Sequence, residues 1–403
     1  MGLAALMSMV CAGTDLTDLA KQLLARITCN PADANALMDL SIVSHLWFKH
    51  DLGLATQARA LQIRQIYHLP AAGTPRIRLL ALMHHGDLAA NTPLEFLVQG
   101  TDIALDMLFI DASQPFPSDL PAHDAIFVAV GESERSRAVL QLIADQMPRW
   151  RRPVLNRPEL ISRLSRGSVS AFLHGAPGID MPQSVRAARQ VLAQIASDDS
   201  ALAEVLTDGG FPIIVRPLDS HAGQGLHKID APADLLAYLQ LRPEPEFYLS
   251  RFADYRDADG WYRKYRVVLV DGQAFAGHMA ISEHWMIHYL NAQMSASQRK
   301  REEEARFMAQ FDCGFGVRHG AALRAIHQLA GLDYLVIDCA ESADGKLLVF
   351  EIDSAAVIHA MDPAELFPYK QAQAKKVFDA FHRLLEKAIA APAALPSQAP
   401  PEV

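Results

Sequence analysis

The sequence predicts an α+β protein in three parts: a helical N-terminal segment, a small α/β domain, and a larger α+β domain assembled from paired strands. Three observations predict it. Residues 14–70 place apolar side chains at helical spacing, and residues 77–156 alternate strand, polar loop and helix. Later stretches hold apolar strands around the turn dipeptides Asp271-Gly272 and Asp344-Gly345. The expected boundaries are 1–72, 73–157 and 158–388, followed by a Pro/Ala-rich, disordered tail over 389–403.

Composition narrows the function classes. Half of the 403 residues are hydrophobic and 21% are charged, the balance of an ordinary globular chain. A net charge of −9 argues against nucleic acid as the main partner. No apolar run is long enough to span a membrane, and the opening MGLAALMSMVCAG lacks the basic region of a secretory signal. Cys11, Cys29, Cys313 and Cys339 show neither metal-ligand spacing nor a disulfide framework, which suits a reducing cytoplasm.

Each element has its own signal. Leu19, Leu23, Leu24 and Ile27 form one stripe, and Asn30-Pro31 separates it from a helix carrying Ala36, Leu37, Leu40 and Ile42. A third helix is expected over 55–67, then the linker LPAAGTP. These few helices are expected to pack on the next domain, because a solenoid needs about three or more repeats. Strands follow at 77–83, 105–110, 125–130 and 154–156, with a helix over 135–147. Thr92, Pro93 and Glu95 read as N-cap, N1 and the third position of a capping box. His84, His85 and Asp87 lie on the loop after the first of these strands, where α/β ligands bind.

Residues 156–167, NRPELISRLSRG, read as a helix with Arg163 and Arg166. Next, Phe211–Arg216 is a strand, Ser220, His221, Gly223 and Gly225 form a loop, and 226–229 is a strand again. Those glycines let backbone amides approach anionic oxygens. Arg266 lies on an otherwise apolar strand, where a buried cation needs an anion. His278, Ser282, His284 and His288 follow; the last two have the i,i+4 spacing of helix-borne zinc ligands, without the His-Glu-x-x-His order. A charged helix or flap is expected over 295–307, and helices over 319–330, capped by Gly331, and 367–389.

The stretch 333–353, DYLVIDCAESADGKLLVFEID, organises the rest. With Asp344-Gly345 as a type I′ turn, Ala343 pairs with Lys346, and counting outward sets Asp338 opposite Glu351. Asp353 shares that face one diagonal step away. Opposed side chains have Cβ atoms roughly 4.5–5.5 Å apart, so these carboxylates need a cation between them. Oxygen-only ligands suit Mg²⁺.

An Asp, a Glu thirteen residues on and a third acid two further on resemble the magnesium hairpin of the ATP-grasp superfamily of carboxylate–amine ligases, such as glutathione synthetase and the ribosomal-protein glutamate ligases. The resemblance covers about 77–385 and implies an ATP-grasp fold preceded by a pre-ATP-grasp domain. The helical start lies outside it and resembles a tetratricopeptide unit in PADANALMDL. It implies Asp338, Glu351 and Asp353 as ligands of one or two Mg²⁺ ions, although the family usually has Asn at the third position. ATP is then the cofactor, held by Arg166, by Arg216 in place of the usual Lys, and by Ser220, His221, Gly223 and Gly225 in the lid, expected at about 165–245. Tyr248, Leu249, Ser250 and Arg251 would meet adenine, and Arg266, with Arg216, the transferred phosphoryl group. The family's second arginine is missing, and His278, Ser282, His284 and His288 line the acceptor pocket instead.

The implied reaction joins a carboxylate to an amine through an acyl-phosphate. A kinase-like phosphotransferase and a non-catalytic nucleotide-binding adaptor are the alternatives. Expected partners are the carboxylate and amine substrates, with a peptide or protein on the N-terminal helices; those helices could equally complete a core or a homodimer interface.

Overall fold

Four helices open the chain: α1 (Leu3–Cys11), α2 (Thr17–Cys29), α3 (Ala34–Leu46) and α4 (His50–Ile63). Asp33 caps α3 by accepting the Ala36 amide at 3.0 Å. On α2 the buried stripe is Ala20, Leu23 and Ile27, while Leu24 points out at 52% exposure, so the face is turned from the expected one. The expected third helix ends early. Ile66–Leu69 is a strand, β1, because Tyr67 turns into the core while its neighbours stay at the surface. The computed structural model describes residues 1–218, 220 and 223–391, so His221 and the tail from 392 lie outside the described residues. No described helix is long and apolar enough to cross a membrane.

The chain divides into two compact units, the first comprising 1–162, 332–334 and, among the described residues, 354–391. Its sheet holds β1, β2 (Ile77–His84), β3 (Ile103–Ile110), β4 (Ala125–Val128) and β5 (Val154–Leu155) in the order β1-β3-β2-β4-β5. All pairings are parallel except β1 on β3. The opening helices share one core with this sheet: Leu6, Leu23, Leu37 and Val43 pack with Tyr67 and Phe109. The helix Lys370–Ala390 also joins this unit, with Phe381 5.7 Å from Phe127 and His382 2.8 Å from Asp102.

Two local expectations fail here for one reason. Glu95 closes no capping box; it is buried and accepts the Ala4 amide at 3.0 Å. Burial raises its pKa, and the amides of Ala4 and Leu3 oppose the rise. Thr92 likewise gives its hydroxyl to the Ser354 carbonyl, and the helix begins at Leu94. Distant backbone groups needing partners outbid the local cap.

Gly53 on α4 offers a test of the α3–α4 packing. A Cβ there would lie 2.6–2.7 Å from the ring atoms of His45, which is 3% exposed. Alanine would favour the isolated helix by about 1 kcal/mol, but overpacking costs roughly 1–3 kcal/mol. Gly53→Ala is therefore expected to lower the urea midpoint, and Gly53→Ala with His45→Ala to recover part of it. A midpoint raised by the single substitution would show that the ring yields.

The second unit, 163–331 with 335–353, has two sheets. Strands β6 (Ile179–Asp180), β7 (Val185–Ala188), β8 (Ile213–Pro217), β9 (His227–Ile229) and β10 (Glu246–Arg251) precede the hairpin β11 (Tyr262–Val270)–β12 (Gln273–Ser282). The acidic hairpin is β13 (Tyr334–Glu341) and β14 (Leu347–Asp353). One antiparallel sheet runs β7-β10-β8-β9; the other runs β12-β11-β13-β14-β6. The first encloses its own core around Leu192, Val215, Leu235, Phe247 and Leu249.

Candidate active site

The acidic hairpin reaches its expected register by an unexpected route. Asp338 does pair with Glu351, and Val336 with Asp353. Near the turn, however, Cys339 pairs with Val349 and Glu341 with Leu347, one residue out of step with that count. The turn is not the expected two-residue one. Asp344 is not among the residues with positive φ, Gly345 alone has φ 79°, and the Ser342 amide donates to the Lys346 carbonyl at 3.0 Å. Phe350 then stands as an extra residue between the pairs Cys339–Val349 and Asp338–Glu351. This bulge cancels the offset and returns the acids to one face. Asp271-Gly272, by contrast, forms the two-residue turn, with φ 50° and 76° and Val270 opposite Gln273.

A second bulge sits beside Arg266. Arg266 pairs with His278 and Val267 with Ala276, so Gly277 is the extra residue. A Cβ at Gly277 would lie 3.0 Å from both Cγ and O of Arg266, so glycine permits this approach. Arg266 is then delivered to Asp338 in a two-point bond, Nε to Oδ1 at 2.8 Å and Nη2 to Oδ2 at 3.0 Å. Lys264, two residues earlier on the same face, places Nζ 2.7 Å from Oδ2. Burial alone would raise the Asp338 pKa, but Arg266 and then Lys264 override it and hold the carboxyl far below the usual range.

Glu351 has its own cation. Arg166, first residue of the helix Arg166–Leu173, donates Nη2 to Oε1 of Glu351 at 2.5 Å and reaches the Phe350 carbonyl at 3.4 Å. The Glu351 carboxyl is lowered, Arg166 and Arg216 outweighing burial. Asp353 adds a third negative charge around Arg266.

Arg216 on β8 is 8% exposed. Its Nε donates to Ser220 Oγ at 3.1 Å and its Nη2 to the Ser220 carbonyl, and Ser220 Oγ in turn reaches the Pro217 carbonyl at 2.8 Å. Burial and then repulsion from Arg166 push the guanidinium pKa down to about 9, with Glu351 opposing them. A charged group so disfavoured is short of negative charge, and an anionic ligand would supply it. The flap glycines are sterically required. Gly223 has φ +72°, and a Cβ there would fall 2.3 Å from Nε2 of His288; at Gly225, φ +67°, it would fall 2.7 Å from Pro217 Cδ.

Other expected residues divide. Tyr248 pairs with Arg216 across β10 and β8, which places both side chains on one face. β10 pairs on both sides through Leu249, but Ser250 and Arg251 pair only with β8. The Arg251 side chain is held by Asp180 and, at 3.3 Å, by Asp208. His278 meets the site as the strand partner of Arg266. Ser282 is buried and accepts the His284 amide at 3.1 Å, while His284 itself is exposed. His284 and His288 share no helix, so the helical zinc pair is overturned; the next helical turn begins at Tyr289. His288 lies in the fields of Lys264, Asp338, Arg216 and Glu351, and its buried Nε2 has no partner among the described residues. Burial lowers its pKa, as do Lys264 and Arg216. His84, His85 and Asp87 belong to the first unit, where His85 is 3.3 Å from the Leu54 carbonyl.

Lys264 was not singled out from the sequence, though period-two alternation from Arg266 in WYRKYR marks it. It changes the fit to magnesium. The opposed carboxylates do have cations, but these are Arg266, Lys264 and Arg166. Both Asp338 oxygens are engaged, and among the described residues no three His, Cys, Asp or Glu side chains form a group able to hold a metal ion. In this arrangement the donors do not fit a magnesium cage. Among the described residues, four cations (Arg166, Arg216, Lys264, Arg266) meet three carboxylates (Asp338, Glu351, Asp353).

No family model and no curated protein matches the chain. Solved structures similar to it include VanG D-Ala:D-Ser ligase from Enterococcus faecalis, at 13% identity over 77% of this chain and 99% of that one, TM-score 0.47. An ATP-grasp RimK domain protein from Sphaerobacter thermophilus is 13% identical over 78% and 100%, TM-score 0.43. D-alanine–D-alanine ligase from Bacillus anthracis, complexed with ATP, is 12% identical over 78% and 98%, TM-score 0.46.

Proposed function

We propose that this chain is an ATP-dependent carboxylate–amine ligase of the ATP-grasp type, acting in the cytoplasm. The observation that carries the reading is Arg216, a buried guanidinium at the base of a glycine flap, with its pKa pushed down to about 9 by burial and by Arg166. Triphosphate oxygens supply negative charge there, and the amides around Gly223 and Gly225 can approach them closely. Arg166, Lys264 and Arg266 extend the positive surface towards the hairpin. Such fixed charges stabilise a phosphoryl group in transfer.

In the proposed reaction a substrate carboxylate oxygen attacks the γ-phosphorus of ATP and ADP leaves. An amine then attacks the acyl carbon, loses a proton, and expels inorganic phosphate. Magnesium enters this proposal only with the nucleotide and is assigned no step.

The test is ADP and phosphate release by the full chain with ATP and Mg²⁺, using a panel of amino acids offered singly and in pairs, D-alanine and glutamate included. Release that depends on both a carboxylate and an amine is the expected result. Nucleotide bound without turnover on any pair would favour the adaptor, and ADP with a phosphorylated product but no inorganic phosphate the kinase. A chain that binds no ATP by calorimetry would sink the proposal.

A further inference from the structure

The first unit holds a cavity of about 340 Å³, every lining residue of which belongs to that unit. It lies at the amino ends of β2 and β3, the opposite end of those parallel strands from His84 and the loop after it. Pro70 and Pro75 of the linker make an apolar wall, and Ala104, 7% exposed, is small enough to leave the floor open. Three polar side chains line the rest. Arg78 pairs with Ala104 and His68 with Asp106, so strand alternation puts Arg78, Asp106 and His68 on one face of the sheet. Tyr67 and Phe109, on the other face, pack with the opening helices. The bonding of the three polar groups is incomplete. Asp106 Oδ1 lies 2.9 Å from His68 Nδ1, which fixes a proton on Nδ1 and leaves Nε2 an acceptor when the ring is neutral. Asp106 Oδ2 has no partner among the described residues. Neither has the Arg78 guanidinium, whose backbone amide donates to Asp124. Strand spacing and rise put the Cα atoms of Arg78 and Asp106, one diagonal step apart, roughly 8 Å from each other. They nevertheless form no ion pair, and both line the cavity.

We propose that this cavity binds a small zwitterion, an α-amino acid. Its carboxylate accepts from Arg78, its ammonium donates to Asp106 Oδ2 and His68 Nε2, and a short aliphatic side chain lies against the Pro70–Pro75 wall. One guanidinium and one carboxylate that do not pair with each other bring charges that sum to zero, as a zwitterion's do. A bare anion would bond Arg78 but face the Asp106 carboxylate, and a bare cation would face the guanidinium, so the site selects against ligands with one charged end. The inference is confined to the first unit and does not rest on the nucleotide reading above.

The experiment follows the His68 ring by nuclear magnetic resonance in the full chain carrying isotope-labelled histidine, the Cε1–H signal of His68 being assigned by its loss in His68→Gln. Glycine and alanine, titrated without ATP at constant pH and ionic strength, are expected to shift that signal saturably in the millimolar range. Acetate, methylammonium, N-acetylalanine and alaninamide each lack one of the two charges and should bind at least about tenfold more weakly, the worth of one charge-assisted hydrogen bond. Arg78→Gln should weaken alanine binding by a similar factor, and Arg78→Lys, which keeps the charge without the planar fork, should restore part of it. Arg78 is exposed, so these substitutions spare the fold. No saturable shift with either amino acid, acetate bound as tightly as alanine, or alanine bound unchanged by Arg78→Gln would overturn the inference. Because no nucleotide enters the titration, its result stands whatever the turnover assay shows.

Discussion

Asp338→Ala is expected to cost the second unit roughly 3–5 kcal/mol, the loss typical of breaking a buried ion pair from one side. The substitution removes the carboxylate that binds Arg266 at two points and Lys264 at one, and their side chains are only 21% and 19% exposed. Urea denaturation followed by circular dichroism measures it. A loss below about 1 kcal/mol would mean that the cations find other partners or water at no cost. The dependence on pH has a definite sign. Because the folded-state pKa is depressed, the carboxylate's contribution is fully present above the ordinary Asp value of 3.8 and is lost as pH falls through the lower folded value. The gap between wild type and Asp338→Ala should therefore stay constant across neutral pH and narrow only in acid.

For Arg216→Ala the expected effect falls on binding rather than on stability. A charge-assisted hydrogen bond is worth about 1.5–3 kcal/mol, so ATP affinity should fall by roughly 10- to 150-fold in calorimetry. Stability should hold or rise, because burial and Arg166 already disfavour the charge in the folded protein. Arg216→Lys should recover part of the affinity: it keeps the charge but not the two-point hold on Ser220. A parallel loss of affinity and stability would make Arg216 a structural residue.

The strongest elements were legible because their signals are local. Apolar strands at 77–84, 125–128 and 334–341 needed only composition and flanking turns, and Asp271-Gly272 needed only its dipeptide. The pairing of Asp338 with Glu351 also came out as expected, but through two compensating departures, a longer turn and the Phe350 bulge. Counting along a ladder cannot see a bulge, because an extra residue leaves no compositional trace. What escaped the sequence depended on distant partners. Glu95 left its cap for α1, and Ile66–Leu69 became an edge strand because β3 lay beside it. Lys264 read as one more charge in WYRKYR until Asp338 was placed 2.7 Å from it. Gly277 was the exception, since a glycine inside a strand signals a bulge or a close approach, and the structure shows both.

The two units are interleaved along the polypeptide, which passes from one to the other at 162/163, 331/332, 334/335 and 353/354. For a chain emerging from a ribosome this fixes an order of completion. The second unit lacks its acidic hairpin until residue 353 has been made, and the first lacks Phe381, which packs on Phe127 and Tyr334, until later still. The second unit can close once residue 353 has been made, whereas the first, although it holds the N-terminus, cannot close until Phe381 arrives, the reverse of domains strung end to end that fold in turn from the N-terminus. The first unit therefore waits longest, part of its apolar surface uncovered until the helix Lys370–Ala390 is made. A gene broken at 331/332 or 334/335 would divide both units between its fragments, while a break at 162/163 or 353/354 would leave the second unit whole on one of them.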